Sequence, residues 1–346
     1  KNVGEINSPL MVSGMRGDSV LFSTWADGFA GEKWIELPAI DCKEIKMDAG
    51  HVTPELYRLN NNVRTTGIFR RADPIRTQLF FTMEDPDKRS LMYIPLLNWT
   101  RENGYMLGIA LHNGFLIPKT VEYFFTPFYT FNKPGLAGSG RISYNIIPFS
   151  STFRLIKFTV EGTQYGAPAN QNYRVVKGGF NVLFRPKYEN NPLNHSVSVN
   201  YIAATDLYTA EHGGNAKMSS YLQASYFVEK SRLVNPFSMR VMLEATKSYQ
   251  KVSLVFNYRH SYRGKNNELD IKFYTGTILR NSSQIPFYGI AAGGRSGSEQ
   301  YLYDGTYPDR FTPFAKTFLS RQVMFSEGGL VSPVNQSLGY SNRLVS

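Results

Sequence analysis

The stretch Tyr221-Leu222-Gln223-Ala224-Ser225-Tyr226-Phe227-Val228-Glu229, followed by Phe237-Ser238-Met239-Arg240-Val241-Met242-Leu243-Glu244, decides the fold class. In the first segment Leu222, Ala224, Tyr226 and Val228 alternate with Tyr221, Gln223, Ser225 and Glu229. In the second, Phe237, Met239, Val241 and Leu243 alternate with Ser238, Arg240 and Glu244. Period two places each set on one face of a β-strand. The beat continues in both directions. Upstream, Val197, Val199, Tyr201 and Ala203 oppose Ser196, Ser198, Asn200 and Ala204, with Ile202 the exception in the polar set. Downstream, Val252, Leu254, Phe256 and Tyr258 oppose Lys251, Ser253, Asn257 and Arg259, and then Leu269, Ile271 and Phe273 oppose Asp270 and Lys272. Helical periodicity is almost absent, so the chain reads as all-β.

Two environments produce this pattern. A soluble antiparallel sheet turns its apolar face to a core and its polar face to water. A transmembrane barrel turns its apolar face to lipid and its polar face to a lumen. Three features favour the barrel. The segments run about 10–13 residues, enough to cross a bilayer when tilted, against about 5–6 for ordinary strands. They follow one another as hairpins with no helices between. Tyr and Phe gather at segment ends, as in Tyr123-Phe124-Phe125, Tyr258 with Tyr262, and Tyr301 with Tyr303, as interfacial girdles require. The competing soluble reading is a large sandwich or propeller, and no blade-length repeat supports the propeller.

Turn signals, among them Glu102-Asn103-Gly104 and Asn235-Pro236, divide the later chain into about twelve strands, at 91–101, 105–114, 121–131, 139–147, 154–165, 173–185, 195–206, 219–230, 237–247, 250–262, 268–279 and 316–326. Residues 1–84 differ. Their apolar runs are short (Val20-Leu21-Phe22, Trp34-Ile35-Glu36-Leu37, Glu44-Ile45-Lys46-Met47) and broken by Gly17, Gly28 and Gly50, which suits a small soluble β-domain. The polar stretch Met83-Glu84-Asp85-Pro86-Asp87-Lys88-Arg89 separates it from a barrel over 85–346. On this reading Leu222, Val228, Met239, Val241, Leu243, Leu254 and Phe256 face lipid. Arg240, Glu244, Lys251, Arg259, Asp270 and Lys272 face the lumen, where acids interleaved with bases on the same strands favour ion pairing over a free anion path.

Composition bounds the partners. The 346 residues carry a net charge of +11, and aromatics make up 14%. Disorder does not fit that aromatic content. The basic residues stand singly, which argues against nucleic acid as a partner. No apolar run reaches the about 18–20 residues of a spanning helix, which says nothing against strands. The single Cys42 excludes a disulfide scaffold and a cysteine-based zinc site.

No catalytic set is recognisable. None of His51, His112, His195, His212 and His260 forms a His-Glu-x-x-His pair, and neither Gly-x-Ser-x-Gly nor a phosphate-binding loop is present. No cofactor is expected in this chain. The unpatterned excursion from about 280 to 315 is the longest loop. Its Gly293, Gly294 and Arg295, with Tyr301, Tyr303 and Arg310, are candidates for a loop or plug packed in the lumen or over the barrel mouth.

Several stretches carry a family resemblance. They are Ile6-Asn7-Ser8-Pro9, Trp25-Ala26-Asp27-Gly28-Phe29, Pro54-Glu55-Leu56-Tyr57-Arg58-Leu59-Asn60-Asn61-Asn62, and Phe69-Arg70-Arg71-Ala72-Asp73-Pro74 leading to Asp85-Pro86-Asp87-Lys88-Arg89-Ser90. In that order they resemble the C-terminal half of very large M1-like (gluzincin) metallopeptidase proteins of Gram-negative outer membranes. The resemblance implies a zinc peptidase-like domain upstream of Lys1, a small periplasmic β-domain, and a long barrel region with further strands still to come; about four more would make a barrel of about sixteen. It implies that this chain is anchor rather than catalyst, since no zinc motif carries over. It also implies a bacterial outer-membrane location, with outer-membrane lipid and other barrel or periplasmic proteins as partners. An accessory subunit of an outer-membrane assembly or export complex, and a channel for anionic solutes, are the competing expectations.

Overall fold

A computed structural model describes residues 2, 7–53, 58–71, 73–80, 85, 87–100, 102–114, 119–148, 152–166, 171–188, 190–205, 218–262, 267–282, 290–292, 339–341 and 343–345. The described chain is all-β apart from one 3-10 turn, Leu59–Asn61. It divides into two compact units, Lys1–Tyr93 and Ile94–Ser346.

The first unit holds β1 (Leu10–Arg16), β2 (Ser19–Ala26), β3 (Glu44–Met47), β4 (Asn62–Arg64) and β5 (Ile75–Leu79). The first four form an antiparallel sheet in the order β2-β1-β3-β4. Gly17, at φ 63, makes the tight turn between β1 and β2. The core is small: Val12, Ala26 and Cys42 are buried, and on the other face of β1 and β2 the Ser13 and Ser23 hydroxyls pair at 2.9 Å. The apolar run Trp34–Leu37 lies outside any strand, and Trp34 is 99% exposed. An apolar run without a partner strand has no ladder to join.

Eleven long strands follow: β6 (Arg89–Thr100), β7 (Gly104–His112), β8 (Val121–Thr130), β9 (Gly135–Ile146), β10 (Phe153–Gly166), β11 (Asn172–Phe184), β12 (Leu193–Thr205), β13 (Met218–Lys230), β14 (Phe237–Ala245), β15 (Tyr249–Ser261) and β16 (Glu268–Asn281). Among the described residues three short strands come after these: β17 (Ile290–Ala292), β18 (Gly339–Ser341) and β19 (Arg343–Val345). Among the described residues the large sheet has thirteen strands in the order β19-β16-β15-β14-β13-β12-β11-β10-β9-β8-β7-β6-β5, so β6 to β16 form an unbroken meander. The sheet is mixed rather than purely antiparallel. β5 pairs parallel with the first residues of β6, Ile75 opposite Arg89 through Leu79 opposite Tyr93. At the other edge β19 pairs with Thr275, Gly276 and Thr277 of β16. No pairing among the described residues closes the sheet on itself. The strand expected at 316–326 lies outside the described residues.

The meander has two ends. Connections 101–103, 131–134, 167–171 and 246–248 at one end are short, with 206–217 the exception. Those at the other end are 113–120, 147–152, 185–192, 231–236 and 262–267. Gly138 marks a close approach in β9. Its φ is +133, and an added Cβ would lie 2.0 Å from the Thr126 carbonyl oxygen of β8. Gly138→Ala is expected to destabilise by about 1–2 kcal/mol through backbone strain, more where the clash is not relieved. Denaturant midpoints compared with Gly162→Ala, where an added Cβ meets nothing within 4 Å, check this.

Candidate functional site

The site is a surface: the two faces of the meander. Register defines them, because residues directly opposite in an antiparallel pair share a face. One row crosses eight strands as Val121, Tyr144, Phe158, Phe180, Val199, Ala224, Leu243 and Val252. The neighbouring row, displaced by one residue, reads Glu122, Ser143, Thr159, Gly179, Asn200, Gln223, Glu244 and Lys251. The first contains no charged residue; the second contains no large apolar side chain.

Burial is inverted relative to a soluble sheet. In the apolar row Tyr144 is 49% exposed, Phe158 45% and Leu243 46%, whereas Ser143, Glu244 and Lys251 on the polar face are buried. Polar residues on that face satisfy one another. Ser143 and Thr159 hydroxyls stand 3.1 Å apart, Thr126 and Ser139 2.8 Å, and Ser198 and Ser225 2.7 Å. Lys157 Nζ lies 2.7 Å from Glu122 Oε2, and Asn145 Nδ2 donates to Glu122 Oε1 at 2.8 Å.

Lys251 Nζ lies 3.2 Å from Glu244 Oε1, with both side chains nearly inaccessible, and the Tyr249 hydroxyl donates to Glu244. Arg259 Nε meets Asp270 Oδ1 at 2.7 Å and Glu268 Oε2 at 3.3 Å. Arg240 stacks over the Phe227 ring at 5.1 Å, and Lys272 is exposed. The six charged residues singled out by alternation thus share one face, and four of them are paired. Of the apolar candidates, Leu222 and Leu243 are exposed, and Met239, Val241, Leu254 and Phe256 are half-buried. Val228, a short side chain between His195 and Met239 on the same face, is buried. Gly293, Gly294, Arg295, Tyr301, Tyr303 and Arg310 lie outside the described residues.

Glu122, Asn145 and Lys157 were not singled out from sequence: cross-strand register places them on the polar face and brings them together. The same is true of a network in the first unit. Asp48, at φ 48, accepts the Val52 and Thr53 amides at 2.8 and 2.9 Å and the Arg58 guanidinium at 2.9 Å. Asp87 accepts Lys46 Nζ at 2.7 Å and lies 2.8 Å from His51 Nε2. A cavity of about 290 Å³ lies beside it, lined by Glu44, Lys46, Arg64, Arg70, Asp85 and Asp87. Its acids and bases balance, and no nucleophile–base pair is assembled there.

Burial pushes both carboxyls up, but their hydrogen bonds and cations outweigh it. Thr53, Val52 and Arg58 hold Asp48 below the usual carboxylate range, and Lys46 and His51 do the same for Asp87. A depressed folded pKa contributes stability above the unfolded value and loses it as pH falls through the folded one. The first unit is therefore expected to hold its stability from neutrality down to about pH 4, then lose it below. Amide hydrogen exchange at Val52 and Thr53, measured in the whole chain against pH, checks this. Asp48→Asn should flatten the acid limb.

Among the described residues no group of three or more His, Cys, Asp or Glu is placed to hold a metal ion. Among the same residues no helix is long and apolar enough to cross a membrane, which says nothing of strands. Compared with known proteins, the chain matches no family model and no curated relative.

Proposed function

We propose that the meander is the wall of a bacterial outer-membrane β-barrel that anchors and positions a periplasmic domain. The observation that carries this is the pair of adjacent rows across eight successive strands: a charge-free row with five residues exposed and none buried, beside a polar row with three buried and none exposed. Water penalises the first row and lipid does not. The hydrogen-bonded polar row suits an interior that excludes lipid. Strands of nine to fourteen residues fit a tilted crossing. The resemblance to outer-membrane M1-like peptidase proteins agrees with an anchor whose catalytic domain lies elsewhere in the protein. Outer-membrane lipid is then the first partner, with periplasmic or other barrel proteins as further ones. The paired interior charges make a dedicated anion path the weaker reading.

Refolding tests the proposal. Diluted from denaturant into phospholipid vesicles, the chain should gain strand signal and float with the vesicles after a carbonate wash. Aggregation in vesicles alongside a stable monomer in plain buffer would overturn it. With the first unit periplasmic, the 206–217 connection lies outside the cell. A membrane-impermeant thiol reagent should label Lys247→Cys, at the same end of the meander, in intact cells, and leave Ser231→Cys untouched until the outer membrane is opened. The reverse pattern would invert the topology.

A further inference from the structure

The end of the meander formed by connections 147–152, 185–192 and 231–236 differs chemically from the opposite end. In sequence, the five connections there carry Lys119, Arg185, Lys187, Arg232, Arg263 and Lys265 against the single acid Glu189. The five at the other end carry Arg101, Lys133, Lys217 and Lys247 against Glu102, Asp206 and Glu211. At the first end Arg154, Arg185, Lys187 and Arg232 are exposed and Lys230 is half-buried. They lie on or between β10, β11, β12, β13 and β14, which are consecutive neighbours in the sheet, so they form one arc of rim. Among the described residues no carboxylate pairs with Arg154, Lys187, Lys230 or Arg232. Glu229 follows the opposite, polar face, where it faces Asn194 and Ser238.

A second observation coincides with the arc. Aromatic rings crowd the same level of the apolar side, and two of the cations rest on them. Lys187 lies 5.5 Å from the Tyr188 ring centroid and Lys230 5.9 Å from Phe237. The Phe153 and Phe184 rings stand 5.6 Å apart beside Arg154 and Arg185. A ring with an apolar body below a cation is the arrangement suited to the headgroup level of a bilayer.

We propose that this rim is a docking arc for the phosphates of anionic phospholipids in the leaflet it meets. The inference rests on the membrane reading above and adds headgroup selectivity to it. Cations such as Arg154, Lys187, Lys230 and Arg232 at headgroup depth attract phosphates in the local low dielectric, each strengthening association with an anionic surface about fivefold at low salt. The aromatic rings hold them at that depth. With the first unit periplasmic, the arc meets the inner leaflet, and phosphatidylglycerol is the appropriate probe.

The test uses the whole chain in nanodiscs of phosphatidylcholine, with Cys42→Ser and a single donor-labelled cysteine at Ser231, in the arc, or Asn132, at the far end. A trace of acceptor-labelled phosphatidylglycerol or phosphatidylcholine reports the local lipid. At low salt the phosphatidylglycerol acceptor should be enriched at least twofold over the phosphatidylcholine acceptor near residue 231 and not near residue 132. The enrichment should fall at high salt and vanish when Arg185, Lys187, Lys230 and Arg232 are changed to Gln. Where that variant fails to assemble, the milder Lys187→Gln with Arg232→Gln should still reduce it. Assembly into nanodiscs with no lipid preference at residue 231 would overturn the docking arc and leave the membrane reading intact. Failure of the unmodified chain to assemble in any bilayer would overturn both.

Discussion

Val241→Arg is expected to destabilise the bilayer-inserted protein by about 2–4 kcal/mol. Val241 sits in the middle of β14, opposite Tyr226 of β13 and Leu254 of β15, so its neighbours on the apolar face are themselves uncharged. An arginine there puts a guanidinium into hydrocarbon, or forces it to reach several residues along the strand toward the headgroups. Asn257→Arg is the control. Asn257 is exposed on the polar face, opposite Ser238 and Lys272, and the change should stay within about 0.5 kcal/mol. Equilibrium unfolding of both variants in vesicles measures the difference. Equal effects would mean that the two faces meet the same environment.

Lys251→Met is the second large effect. Its partner Glu244 is fully buried, and removing the ammonium leaves that carboxylate without its cation, at a cost of about 3–5 kcal/mol. Adding Glu244→Gln should return at least half of the loss. Glutamine is neutral and still accepts the Tyr249 hydroxyl. The coupling from the double-mutant cycle is the quantity to measure. Additive losses would show that the two groups do not share one buried electrostatic interaction.

Much of the strand layout was legible, because strand, turn and face each leave a local mark. The alternation from Tyr221 to Phe273 located β13 to β16 and separated their faces. Asn235-Pro236 marked the turn before β14. Asn235 adopts φ 51, and its side-chain oxygen accepts the Ser261 amide at 2.9 Å. Glu102-Asn103-Gly104 marked the turn into β7, where Gly104 takes φ 66.

What sequence hid was everything that depends on a second strand's register. The pairing of Lys157 with Glu122, thirty-five positions apart, has no local signal. Nor does the Asp87 contact with Lys46, forty-one positions away. The parallel β5–β6 ladder was hidden for the same reason, since the short run Ile75–Leu79 has no period to distinguish it from loop. Trp34–Leu37 shows the opposite error, an apolar run that belongs to no ladder.

The most direct measurement of the central claim is a spin-label scan along β14. Single cysteines at positions 238 to 244, in a Cys42→Ser background reconstituted in vesicles, report collisions with oxygen, which concentrates in lipid, and with a polar nickel chelate, which stays in water. Positions 239, 241 and 243 should show high oxygen and low nickel accessibility, with 238, 240 and 242 lower in oxygen, giving an oxygen profile of period two. Labels at 239, 241 and 243 shielded from both reagents would place that face in a protein core and contradict the membrane-wall account.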